Sequence, residues 1–230
     1  MKLYAALIGT VPALALAGCG GDTTPAALPS SAVASAAPEI PVIGAEVPIL
    51  AFGDSLFAGY GLEPGESYPA QLERALRARG INARIANAGV SGNTTADALQ
   101  RLAFTLDGQK RPPALALICL GGNDLLRGLP PEQARANLET ILAELDRRGI
   151  PAVLMGMLAP PNLGAEYKRR FDAIYLEVAR RHHAALVPFF LQSVIGKPDL
   201  IRADHIHPTA EGVGEIVGAT VDTVAGALKT

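Results

Sequence analysis

Hydrophobic positions along this chain fall into three regimes. Residues 1–19 open with Met1-Lys2, run through an apolar stretch broken only by Gly9, Thr10 and Pro12, and close on Leu16-Ala17-Gly18-Cys19. Residues 20–47 are dominated by Ala, Ser and Pro and have hardly any apolar periodicity. From residue 48 onward, short continuous apolar runs alternate with segments whose apolar residues recur every three or four positions. The runs at 48–53, 83–87, 114–120, 152–157 and 185–189 predict strands. The segments at 68–79, from Thr94 or Thr95 through Leu106, 131–148, 165–182 and 208–228 predict helices, with Ser67 as a cap and Gly80 and Gly149 as stops. Continuously apolar strands separated by amphipathic helices imply a parallel sheet covered on both faces, a three-layer α/β/α fold with five strands. In such sheets the ligand crevice lies beyond the carboxyl ends of the strands.

The first regime predicts a signal peptide, since its apolar core is shorter than the roughly 20 residues that a membrane span needs. Residues 20–47 cannot bury enough surface to offset the entropy of ordering them and are expected to be a disordered tether. Residues 48–230 are then one globular domain. Twenty basic residues against twenty-two acidic ones, with a net charge of −2 and no long run of one sign, leave no footprint for nucleic acid. Cys119 lies inside an apolar strand, where a thiol behaves as a small hydrophobe, so no disulfide is expected.

Candidate chemistry follows three of the strands. Gly53-Asp54-Ser55-Leu56 follows the first, Asn87-Ala88-Gly89-Val90-Ser91-Gly92-Asn93 the second and Gly121-Gly122-Asn123-Asp124 the third. Each alone reads equally as a turn or helix cap. Near the C-terminus stands Asp204-His205-Ile206-His207-Pro208. A hydroxyl nucleophile at neutral pH needs a base that titrates near 7 and a carboxylate that fixes the imidazole tautomer, and an Asp three residues before a His supplies both. Asp204, His205 and His207 also invite a metal reading, but no HExxH pattern or cysteine cluster accompanies them, and no metal is expected.

In combination and in this order, the four blocks resemble the GDSL, or SGNH, hydrolase family, and the likeness runs from about Ile49 to Ile216. Gly59-Tyr60-Gly61-Leu62 and Leu125-Leu126-Arg127-Gly128 are similar to its branch of bacterial arylesterases, acyl-CoA thioesterase I and lysophospholipase. The resemblance implies a flavodoxin-like sheet, Ser55 as nucleophile, His207 as general base and Asp204 as its orienting carboxylate. It further implies an oxyanion hole made by the Ser55 N–H, the Gly89 N–H and the Asn123 side chain. No cofactor is implied. The substrate would be a small acyl ester or thioester of short to medium chain length; a carbohydrate O-acetyl esterase and a non-catalytic binding lipoprotein stay open as alternatives. His205 stands where relatives usually carry a small residue such as Gly.

Leu16-Ala17-Gly18-Cys19 resembles the bacterial lipobox, which implies a lipid anchor on Cys19 and export to the periplasmic face of the bacterial envelope. No protein partner is called for. The loop at 159–164 reads either as part of an acyl pocket or as a surface connection.

Overall fold

The computed structural model describes residues 42–228; the expected leader, Cys19 and most of the tether lie outside them. Five parallel strands form one sheet in the order β2-β1-β3-β4-β5: β1 Val47–Gly53, β2 Ala83–Gly89, β3 Leu115–Cys119, β4 Ala152–Met155 and β5 Ala185–Val187. The helices are α1 Ser55–Ala58, α2 Tyr68–Ala78, α3 Thr95–Asp107, α4 Gly122–Leu126, α5 Pro131–Arg147, α6 Ala165–Arg181 and α7 Ala210–Ala227. Helices α2 and α7 pack together on one side of the sheet, while α3, α5 and α6 pack in sequence on the other.

The periodic positions explain the layering. Ala134, Leu138, Ile141, Leu142 and Leu145 place one stripe of α5 in the core, and Phe171, Ile174, Tyr175 and Val178 do the same for α6. Every residue of β3 is buried, as a central strand covered on both faces requires. The edge strand β2 departs from the expected continuous burial: Asn87 and Ala86 are exposed, and only Ala83 is buried. Capping agrees with the sequence at both predicted positions. Ser67 Oγ accepts from the Ala70 N–H, and Thr94 and Asp97 form a reciprocal capping box on α3.

Register is what positions the site. Gly53 at the end of β1 pairs with Gly89 on one side and Cys119 on the other, so the three segments that follow these strands leave the sheet side by side. β1 is also where the chain turns from building the sheet in one direction to building it in the other, the place at which α/β sheets open a crevice. Gly53 tolerates no side chain, since a Cβ would stand 2.8 Å from the Cys119 carbonyl oxygen and 2.9 Å from the Phe57 ring.

Candidate active site

The nucleophile side is built on the ends of β1 and β3. Asp54 caps the four-residue helix α1 by accepting from the Leu56 N–H at 3.0 Å, which puts Ser55 in the first turn with its hydroxyl at the mouth of the crevice. Asp54 is almost fully buried, and that desolvation pushes its carboxyl up to about 6. Its other oxygen lies 3.4 Å from Asn123 Nδ2, which also donates to the Asn93 carbonyl at 3.0 Å. Next to Asn123, the buried Asp124 accepts from the Thr95 N–H and the Thr95 hydroxyl at 2.8 and 2.6 Å. The donor amide of Asn123 is thus fixed from both sides.

The base side is a hairpin closed by the antiparallel bridge between Ile201 and Pro208 and by the Arg202 N–H donating to the His207 carbonyl at 2.8 Å. Asp204 Oδ1 accepts from the Ile206 and His207 N–H groups, each at 2.9 Å, while Oδ2 stands 2.8 Å from His207 Nδ1. The backbone N–H groups of His207 and Ile206, followed by the imidazole, hold the Asp204 carboxyl well below the usual carboxylate range. An ionised carboxylate only accepts, so Nδ1 carries the hydrogen and the Nε2 lone pair faces outward. That Nε2 lies 2.8 Å from Ser55 Oγ. The Tyr60 ring covers the imidazole, centroid to centroid at 4.7 Å. His205 is exposed, in left-handed backbone with φ of 60°, and the imidazole joined to Ser55 is that of His207. Among the described residues no group of three or more His, Cys, Asp or Glu side chains is arranged to hold a metal ion.

Around Ser55 and His207 lies a cavity of about 210 Å³, with Tyr60, Leu126 and Ile206 as its apolar lining and Gly92 and Asn123 at its polar end. The sequence-based choice of Gly89 needs correction. Gly89 is the last residue of β2 and is absent from the cavity lining, and its N–H already donates to Asn87 Oδ1 at 2.9 Å. Its want of a side chain serves packing, because a Cβ there would lie 2.3 Å from the Ala58 nitrogen. The glycine that faces the cavity is Gly92, three residues further on, in a turn with φ of 82°. The loop at 159–164 also lies outside the lining, and from Pro160 to Gly164 it is exposed, which is the surface-connection reading.

A larger hollow of about 450 Å³ opens at the opposite end of β1 and β2. Four of its charged wall residues pair with one another, Glu46 with Arg111 and Arg84, and Glu73 with Arg84, and its lining holds neither a hydroxyl nucleophile nor a histidine. Chemistry therefore belongs to the smaller cavity. Sequence reasoning missed the support that Asp54 and Asp124 give to Asn123; an acidic residue beside a motif carries no local sign that it is buried.

The profile of the GDSL-like lipase/acylhydrolase family matches residues 51–213. Esterase TesA of Pseudomonas aeruginosa is 41% identical over 160 residues, covering 70% of this chain and 79% of the relative. A thioesterase 1/protease 1/lysophospholipase L1 of Escherichia coli is 35% identical over 163 residues, covering 71% and 76%. Among solved structures, AlinE4, an SGNH-hydrolase family esterase, superposes with a TM-score of 0.70 at 64% identity, covering 80% of this chain and 98% of that one. On this family match and these relatives, the chain belongs to the GDSL-like lipase/acylhydrolase family and is a serine ester hydrolase.

Proposed function

We propose that the protein hydrolyses carboxylic esters or thioesters of short to medium acyl chains through an acyl-enzyme on Ser55. The observation that carries this reading is the pair of 2.8 Å contacts of His207, Nε2 to Ser55 Oγ and Nδ1 to Asp204 Oδ2. Ser55 Oγ attacks the carbonyl carbon as its proton passes to His207 Nε2, and Asp204 stabilises the imidazolium that results. The oxyanion of the tetrahedral intermediate is met by the Ser55 N–H, the Gly92 N–H and Asn123 Nδ2, which turns to it the hydrogen that otherwise makes only the long 3.4 Å contact with Asp54 Oδ2. Collapse of the intermediate expels the alcohol or thiol, which takes the proton from His207. Water then attacks the acyl-serine, again giving its proton to His207, and the acid leaves as Ser55 regains its hydrogen.

The small cavity, with Tyr60, Leu126 and Ile206 as apolar contacts, favours an acyl chain of modest length over a large sugar. Hydrolysis of p-nitrophenyl esters of graded chain length tests this. Turnover strongest on short to medium chains and abolished in Ser55→Ala is the expected result; equal rates in both proteins would remove Ser55 from the mechanism.

The reading extends to the cell envelope. Cys19 carries the lipid anchor of the hydrolase. The lipobox-like Leu16-Ala17-Gly18-Cys19 supports this, and no helix among the described residues is long and apolar enough to cross a membrane. Cys19→Ala should move the protein from the membrane to the soluble fraction of the host; retention in the membrane would overturn the anchor.

A further inference from the structure

Arg101 stands in α3, outside the cavity lining, yet its side chain reaches beneath the site. Its Nε donates to Asn93 Oδ1 at 2.7 Å, one terminal nitrogen donates to the Ala88 carbonyl at 2.9 Å, and the other donates to the Gly53 carbonyl at 2.9 Å. The guanidinium carbon lies 4.2 Å from the centre of the Phe52 ring, so the plane of the group is held on the end of β1. Its partners are two carbonyls and an amide, with no carboxylate among them.

These acceptors have a common property. Gly53 immediately precedes Asp54 and Ser55. Ala88 and Asn93 bracket the turn that carries Gly92. Asn93 has a second task, because its carbonyl accepts from Asn123 Nδ2 at 3.0 Å. One planar fork thus ties the segment bearing the Ser55 N–H to the turn bearing the Gly92 N–H, and it reaches the Asn123 amide through Asn93. A fork with three fixed donor directions specifies the spacing of the β1 and β2 ends and of the turn after β2 in a way that a single ammonium on a flexible stem does not.

We propose that Arg101 is a positioning residue for the oxyanion hole, setting the separation of its three donors without touching the substrate. This rests on the assignment of Ser55, Gly92 and Asn123 made above. A donor displaced by about 1 Å costs on the order of 10²-fold in rate. Arg101→Gln should therefore lower kcat by roughly 10- to 100-fold while KM stays within about twofold, because the apolar contacts that bind the acyl chain are untouched. Arg101→Lys should fail to restore the rate.

The test is a double-mutant cycle on the full chain with p-nitrophenyl butyrate, each kcat normalised to the folded fraction read by near-ultraviolet circular dichroism. The variants are Arg101→Gln, Arg101→Lys, Asn123→Ala and the combinations of each Arg101 change with Asn123→Ala. If Arg101 acts through the hole, its substitution costs several-fold less in the Asn123→Ala background than in the wild type. Multiplicative losses, or a normalised kcat equal to wild type in Arg101→Gln or Arg101→Lys, would overturn the proposal. The lysine variant keeps the positive charge and carries the test should the glutamine variant not fold. An Asn123→Ala enzyme as fast as wild type would instead strike the oxyanion assignment itself, and Arg101 would have nothing there to position.

Discussion

The two halves of the site are built in different ways. Ser55 and Asn123 emerge from the ends of buried strands and are braced by contacts between segments distant in sequence: Asn123 with Asp54, Asp124 with Thr95, and Asn123 with the Asn93 turn. Asp204 and His207 instead share one exposed hairpin, and every bond that orients the Asp204 carboxylate comes from within residues 204–207. Asp204 retains 34% side-chain exposure and His207 15%. In the proposed mechanism the first half supplies fixed geometry for a developing charge, which demands a rigid and partly desolvated frame. The second, in the same mechanism, supplies a proton shuttle, which needs only one correct tautomer and one short contact. Substitutions on the hairpin should therefore affect rate with little change in stability, whereas those on the strand side should move both.

The largest separation of the two is expected for Asp204→Asn. An amide offers Nδ1 a donor where the carboxylate accepts, favouring the wrong imidazole tautomer, so kcat should fall roughly 10⁴-fold. Thermal unfolding should show a midpoint within a few degrees of wild type; a collapse in stability would make the hairpin part of the folding core and end the contrast. Asn123→Ala comes next, with a loss in kcat on the order of 10²- to 10³-fold. It also leaves the Asn93 carbonyl without its side-chain donor, which costs about 1 kcal/mol in urea unfolding. A purely kinetic effect would place Asn123 in the same category as Asp204.

Asp54 sharpens the contrast through pH. Its carboxyl is raised from 3.8 to about 6 on folding, so the folded state holds that proton more tightly than the unfolded chain does. The stability this confers is complete below about pH 3.8 and is lost as pH rises through about 6. Asp54→Asn removes the titration while keeping a capping oxygen. The variant should gain on wild type by about 2–3 kcal/mol between pH 3.5 and pH 8 in denaturant unfolding. A difference that does not vary with pH would mean that Asp54 carries no buried charge. Asp204 has the opposite sign: its depressed carboxyl contributes stability that is present above 3.8 and is lost as pH falls, a contribution that solvent screening of this exposed group keeps small enough for Asp204→Asn to unfold close to wild type.

The smallest effect is expected at His205. Its φ of 60° is strained for a residue with a Cβ, so His205→Gly should relieve the turn, offset in part by the freer unfolded chain, for a net gain under about 1 kcal/mol. Hydrolysis rates should stay within twofold, and a large kinetic loss would give His205 a role that its exposed position does not suggest.

The same division governs what the sequence reveals. Asp204 and His207 are three residues apart in one turn, so their relation is local and legible as spacing. The strands and their layers follow from apolar periodicity, and Ser55 and Asn123 from their places directly after β1 and β3. Gly92 was not legible. The polar Asn87 makes β2 read as ending there, which turns Gly89 into the first glycine of the loop, whereas pairing with β1 carries the strand through Gly89 itself. Helices α1 and α4, of four and five residues, are too short to show a period. Arg101 reads only as a polar residue on an amphipathic helix, since the Gly53 carbonyl that it grips is 48 residues away.

The central claim, that Ser55 is the acylated nucleophile activated by His207, is tested most directly by covalent labelling. The wild-type protein would be treated with a p-nitrophenyl alkylphosphonate, digested and mapped by mass spectrometry, with His207→Ala in parallel. The account predicts one phosphonyl group on the peptide that carries Ser55, with a parallel loss of esterase activity, and labelling slowed by several orders of magnitude in His207→Ala. A label on any other residue, or full esterase activity in protein modified at Ser55, would contradict it.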